Sequence, residues 1–352
     1  MNDICDKGPV GRALCMGPLA GAVTKAVPLR AAAIALAVAS GGLSSTAMAD
    51  GFQLSEKLSI TGFLDMSFLY VDDESATEST QDFGLDQFEI DFLYQFNDQF
   101  TAQVDLEYQD DGKLEANGDP EGAETDIEQA FFTYAINDSV SLKAGRFLSY
   151  SGWESEEPTG LFQYSGTGYG KYFYGAYQQG VSAYYDAGMF DLALSVVNDL
   201  GNLQGDGTDN EQIATELMLA VTPFEGVTAK AFYMTEGEVD LINVWASYAT
   251  GGLTLAAEYN TAEGSAGIDS EADGYLLMAN YATGIYGITL RYHEWEVEDA
   301  SGTTVEEMNG ITLSPSITVN DNLLLVFEYR MDEDDLTGNE TDSLAVEALV
   351  TF

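Results

Sequence analysis

From Leu58 to the C-terminus the chain alternates apolar and polar residues, and that period of two restricts it to β-structure. Leu58, Ile60, Gly62, Leu64, Met66, Phe68 and Tyr70 share one side of the first segment, with Ser59, Thr61, Asp65 and Ser67 on the other. Phe88, Ile90, Phe92, Tyr94 and Phe96 oppose Glu89, Asp91 and Gln95 in the next, and no helical period of comparable length appears. The pattern predicts sixteen strands, at 58–71, 84–96, 100–109, 125–136, 139–148, 176–186, 189–198, 211–222, 227–235, 239–249, 252–260, 273–283, 286–296, 307–318, 322–331 and 342–352. Tight turns such as Asn137-Asp138, Thr250-Gly251 and Asn320-Asp321 alternate with acidic, Gly/Ser/Thr-rich connections at 72–83, 110–124, 199–210, 261–272, 297–306 and 332–341. The short connection at 236–238 is an exception. Strands of about ten residues suffice to cross a bilayer when tilted. The expected fold is an all-β, transmembrane, antiparallel up-and-down β-barrel with short periplasmic turns and long extracellular loops. A soluble two-sheet sandwich also alternates. Bulky residues on the apolar side of nearly every strand, with Tyr70, Tyr94, Phe96, Phe100, Tyr134 and Tyr185 at strand ends, favour the membrane barrel and its aromatic girdles.

Residues 1–49 read as a signal peptide rather than as part of the fold. Lys25 and Arg30 precede the apolar run 31–39, and Ala47-Met48-Ala49 forms a small-x-small cleavage site before Asp50. The run is about half the length of a membrane-spanning helix. The start codon is either Met1 or Met16. Both cysteines, Cys5 and Cys15, lie in this segment, so 50–352 holds no disulfide, thiol nucleophile or cysteine metal site. The formal net charge of −47 sets the chain against nucleic acid and anionic headgroups. Strong acidity often marks disorder, but 12% aromatic content and regular alternation oppose that reading. At the end of the chain Leu344, Val346, Ala348, Val350 and Phe352 alternate with Ser343, Ala345, Glu347, Leu349 and Thr351. A last strand closing on phenylalanine resembles the sorting signal read by barrel-assembly machinery. That machinery, with outer-membrane lipid and lipopolysaccharide, is the expected set of partners, and the bacterial outer membrane the expected location.

A narrower likeness begins at the fifth strand. Leu142-Lys143-Ala144-Gly145-Arg146-Phe147, then Gly152-Trp153-Glu154, then Tyr164-Ser165, resembles the OmpL-like family of β-barrel porins. Members of that family show an A-G-[KR]-F strand end, a Gly-aromatic-Glu segment and an aromatic-Ser segment. Gly62-Phe63-Leu64-Asp65 and Gln129-Ala130-Phe131-Phe132-Thr133-Tyr134 fit as well. The resemblance spans 57–180 in motif and most of 58–352 in pattern. It implies a passive diffusion channel for small hydrophilic solutes that uses no cofactor, and by analogy a homotrimer. It assigns no solute-binding residues.

With the apolar positions facing lipid, the alternate ones face a lumen. There Asp65, Glu89, Asp91, Asp105, Glu107, Asp191, Glu216, Glu258, Glu328 and Glu347 outnumber Lys143, Lys230, Arg291 and Arg330. Fixed negative charge between low-dielectric walls concentrates cations. The plainer alternative is that these carboxylates only solvate the interior or pair with the arginines. The connection 149–175 differs from the rest: Tyr150, Trp153, Phe162, Tyr164, Tyr169, Tyr172, Phe173 and Tyr174 would be costly to expose. In sixteen-stranded porins the third external loop folds inward, so this loop is expected to constrict the lumen. Lys143 and Arg146 would then face Glu154, Glu156 and Glu157 across the narrow zone. An aromatic lid or a subunit contact is the other use of such a loop.

No enzyme is expected. His293 is the single histidine, no nucleophile-base pair is discernible, and one histidine cannot build a zinc site. Asp332-Glu333-Asp334-Asp335 lacks the glycine and spaced glutamate of a calcium loop and reads as a solvated connection, so no metal site is assigned. A structural or adhesive barrel with a plugged lumen is the competing function. Strand number separates the two, because sixteen strands leave an aqueous channel where eight to ten fill with side chains.

Overall fold

A computed structural model of the chain describes residues 52–109, 113–114, 120–121, 124–154, 157–200 and 212–352. Sixteen long strands form the wall. They are β1 (Leu58–Asp73), β2 (Thr80–Asn97), β3 (Phe100–Gln109), β4 (Glu124–Ala135), β5 (Val140–Leu148), β6 (Tyr177–Asp186), β7 (Phe190–Val197) and β8 (Ala214–Phe224). Then follow β9 (Val227–Glu236), β10 (Val239–Thr250), β11 (Leu253–Glu263), β12 (Glu271–Thr283), β13 (Tyr286–Glu298), β14 (Thr304–Asn320), β15 (Leu323–Asp334) and β16 (Asn339–Thr351). Every pairing is antiparallel and joins chain neighbours, except that β16 pairs with β1 and closes the ring. Each expected strand is present, and the barrel is the one its alternation predicts. The signal-peptide and start-codon expectations fall outside the described residues.

The wall is inverted relative to a water-soluble protein. Leu277 of β12 and Leu290 of β13 are 51% and 53% exposed on the outside, whereas Arg291 and His293, at alternate positions of β13, are fully enclosed. Such a surface suits hydrocarbon, and a closed ladder leaves no strand edge unpaired within it. Aromatic rings gather at the short-turn rim: Tyr94, Phe96 and Phe100 form a chain of contacts at 4.7 Å, continued by Phe132 and Tyr134. The closing seam has its own fit. Gly62 and Phe352 exchange backbone hydrogen bonds of 3.0 Å in both directions. A Cβ at Gly62 would lie 2.8 Å from the Phe352 ring, so the missing side chain makes room for the terminal aromatic.

Strand continues into several segments that the sequence marks as connections. The turn between β15 and β16 is only 335–338, and Asp332 lies in β15 rather than in a solvated loop. The acidic residues there run consecutively with no apolar partners, so they look like loop; the backbone ladder carries Asp332, Glu333 and Asp334 as strand regardless.

Candidate functional site

The connection from β5 to β6 lies inside the barrel. It contains a 3-10 turn at Pro158–Gly160 and a single helical turn, α1 (Gly170–Phe173). Its polar backbone meets wall carboxylates in sequence. Glu216 of β8 accepts the Tyr150 N–H at 3.0 Å and the Ser149 hydroxyl at 2.7 Å. Asn243 of β10 accepts the Gly152 N–H at 3.2 Å, and Glu258 of β11 accepts the Trp153 N–H at 2.8 Å. Glu258 also accepts the hydroxyls of Tyr169 and Tyr174. On the far side Glu328 of β15 accepts the Ser165 N–H at 3.2 Å and its hydroxyl at 2.5 Å, and Tyr164 reaches Ser67 of β1 at 3.1 Å. The loop therefore touches wall strands around most of the circumference.

Two arginines complete the hold. Arg291 donates from Nη1 to Glu154 at 2.5 Å and to the Ser165 carbonyl at 2.5 Å, and from Nη2 to Thr312 at 2.9 Å. Glu154 in turn accepts the Thr167 N–H at 2.7 Å, which closes the loop on itself. Arg330 donates to the carbonyls of Gly166 and Thr167 and pairs with Asp332 at 2.7 Å. Breaking a buried charge pair by removing one partner costs about 3–5 kcal/mol. These contacts fix the loop.

Apolar packing adds to this on one side only. Trp153 lies edge-on to Trp245 of β10 at 5.3 Å and parallel to Phe162 at 6.1 Å. Tyr169 and Phe173 sit against Trp295 and over Gly274 of β12, where a Cβ would be 2.9 Å from the Phe173 ring. The inward positions of β7 to β13 here are Ala193, Met218, Met234, Ala256, Leu276 and Met278 among others, joined with the loop aromatics in one core. Burial, then the Glu258 carboxylate, push the Tyr169 and Tyr174 phenols well above the usual tyrosine range.

The opposite wall is different. Glu89 and Asp91 of β2, Asp105 and Glu107 of β3, and Glu128 of β4 all turn inward, and Glu157 of the loop approaches them. One potential ligand oxygen from each of Glu89, Asp91 and Asp105 lies within 4.8 Å of the others, and the same holds for Glu89, Glu128 and Glu157. Glu128 enters through a break in register: Asp105 pairs with Gln129 and Leu106 with Ile127, so Glu128 is the extra residue of a bulge and turns its carboxylate inward. The sequence signal was two adjacent polar residues, Glu128-Gln129, inside an otherwise alternating run. Tyr177 donates its hydroxyl to Glu128 and, at 3.2 Å, to Glu157. Burial, then the Glu128 carboxylate, push Glu157 well above the ordinary carboxylate range. Among the described residues no ion pair joins Glu89, Asp91, Asp105 or Glu128 to a lysine or arginine.

The remaining expected residues are distributed as follows. Lys143 points inward and sits over the rings of Phe131, Phe147 and Tyr150 at 4.8, 5.5 and 4.9 Å. Arg146 pairs with Ala130 and Gln179, on the opposite face of β5 from Lys143, so the register does not aim it at the loop carboxylates. Glu156 lies outside the described residues. Glu154 is brought to Arg291 rather than to Lys143. His293 stacks on Trp295 at 5.5 Å and faces Asp332 at 3.4 Å. Sequence reasoning missed Glu128, Tyr177 and Asp332 as interior groups.

A family profile described as Gram-negative porin matches residues 31–337. Solved structures share the fold at low identity. The anion-selective porin from Comamonas acidovorans is 16% identical with a TM-score of 0.63, over 84% of this chain and 99% of that one. Salmonella typhi OmpF, in complex with daunomycin, is 16% identical with a TM-score of 0.62, over 84% and 97%. The outer membrane channel DcaP of Acinetobacter baumannii is 12% identical with a TM-score of 0.62, over 86% and 99%. No curated protein matches.

Proposed function

The chain belongs to the Gram-negative porin family of the outer membrane, and from that premise we propose a passive diffusion channel for small hydrophilic solutes that prefers cations. The observation that carries the preference is the imbalance of the interior. Arg291 and Arg330 are engaged by Glu154, Asp332 and the loop carbonyls, while Glu89, Asp91, Asp105 and Glu128 have no basic partner among the described residues. Uncompensated carboxylates between low-dielectric walls raise the local cation concentration and exclude anions. The fold itself is neutral on this point, since the Comamonas acidovorans porin of the same architecture is anion-selective. The loop 149–175 is the constriction in this reading, with Trp153, Glu154 and Glu157 on it and Glu89, Asp91, Asp105 and Glu107 on the wall opposite. Lys143 and the two arginines set its basic side. His293 is a wall residue and the channel carries no catalysis. Membrane lipid, lipopolysaccharide and the barrel-assembly machinery, which would read Phe352, are its partners, and a homotrimer its assembly.

Single-channel recording in planar bilayers tests this. Stepwise conductance is expected, with a reversal potential of the cation-selective sign in a salt gradient. A second reading, a structural barrel with its lumen plugged, draws on the full enclosure of Tyr169, Phe173 and Arg291 by the loop contacts. Absence of conductance steps from correctly folded protein decides for the plug, and an anion-selective reversal potential sinks the charge argument.

A further inference from the structure

We propose that Glu89, Glu128 and Glu157, with Asp91 and Asp105 beside them, form a binding site for one calcium ion, which ties the inward loop to the β2–β4 wall. Three observations converge on it. First, the five carboxylates form two triads that share Glu89, each with ligand oxygens within 4.8 Å of one another. Calcium takes six to eight oxygens at about 2.3–2.6 Å, so two ligands of one ion stand up to about 5 Å apart. Second, Glu89 and Glu128 are 4% and 3% exposed, and each has an Oε2 with no hydrogen-bond partner. Enclosed carboxylate oxygens without donors are costly, and a hard cation is the ligand that satisfies several at once. Third, the few donors present are side-on and neutral. Asp105 accepts the amides of Gln103 and Gln129, Asp91 accepts the Thr61 hydroxyl at 2.7 Å, and Tyr177 holds Glu128. These orient the carboxylates without neutralising them, as outer partners of a metal site do.

The chain gives the site two mechanical sources. Two ligands, Glu89 and Glu128, come from the rigid wall, and the bulge brings Glu128 into place. The third, Glu157, comes from the loop, immediately before the 3-10 turn. A bound ion would therefore anchor the loop on the wall where it lacks aromatic packing. That the anchor also sets the width of a conducting opening rests on the channel reading above; the binding itself does not.

Calorimetric titration of calcium into the full-length folded protein in detergent, after removal of divalent ions with a chelator, tests the proposal at physiological salt. One saturable equivalent is expected in the wild type. Affinity should fall about tenfold or more in Glu89→Gln/Glu128→Gln, and stay unchanged in Asp334→Asn, which removes an exposed rim carboxylate. Terbium substituted for calcium should show tyrosine-sensitised emission that falls in Tyr177→Phe while the ion still binds. No saturable equivalent in the wild type overturns the site and leaves the carboxylates as proton carriers. Equal affinity in the wild type and the double variant overturns it too, by assigning the ion to surface loops. If the double variant does not fold, the wild-type stoichiometry and the Tyr177→Phe emission still decide. Because titration needs no transport, a failed site and a failed channel are read in separate experiments.

Discussion

The two sides of the barrel interior use the same backbone for different ends. On β8 to β13 many inward residues are apolar, and several polar ones among them engage the loop, as Glu216, Asn243, Glu258 and Arg291 do. On β2 to β4 the inward residues are carboxylates with few donors. The first side is a core that happens to face a lumen; the second is a charged surface. A period of two permits either, and the difference lies in whether each inward side chain finds a partner on the loop.

Several substitutions would break or sharpen that contrast. Arg291→Ala should have the largest effect, leaving Glu154 enclosed and unpaired at a cost of about 3–5 kcal/mol. The loop should come free, seen as a several-fold rise in single-channel conductance and new protease cleavage between 149 and 176. Unchanged conductance would remove the loop from the constriction. Phe173→Ala, deleting a fully enclosed ring from the core side, should cost about 3 kcal/mol or somewhat more in denaturant unfolding. Gly274→Ala intrudes on Phe173, Tyr169 and Trp295 and should cost about 1–3 kcal/mol by overpacking the same seat. On the other side, replacing Glu89, Asp91, Asp105 and Glu107 by amides in calcium-free buffer should leave loop protection intact. It should lower the cation-to-anion permeability ratio several-fold. Release of the loop by these amides would mean the two sides are not separable.

The smallest effect is spectroscopic. Tyr169 and Tyr174 are held above the usual tyrosine value, so the stability they contribute is complete below about pH 10 and is lost as pH climbs through their folded values. Ultraviolet titration should show both phenols ionising only as the barrel opens. Ionisation together with the exposed tyrosines would mean the loop is not seated.

The strands were legible because lipid outside and polar groups inside impose the clean alternation seen in 58–70 and 286–293. Less legible was the core side. Met218, Met234, Leu276 and Met278 occupy inward positions, so these strands are apolar on both faces, and only the eight aromatics of 149–175 hinted at what covers them. Lumen acids were readable as a class, but not their division of labour. Glu216, Glu258 and Glu328 hold the loop while Glu89 and Asp105 do not, and that depends on contacts between residues a hundred or more apart in some cases, such as Trp153 with Glu258 and Ser165 with Glu328. Glu128 escaped because a bulge shifts the phase by one residue. Arg146 was placed by motif rather than by register, which sets it on the other face from Lys143.

The Gly62–Phe352 contact has a kinetic corollary. All other wall hairpins join neighbours and can form as the chain collapses locally, whereas this one must bring together residues from the two extremes of the wall. Loop-closure entropy is thus concentrated in a single late event. Shaving the ring from Phe352 should slow the appearance of the closed cylinder far more than it lowers the final yield, because the penalty falls on the finishing step and not on the finished molecule.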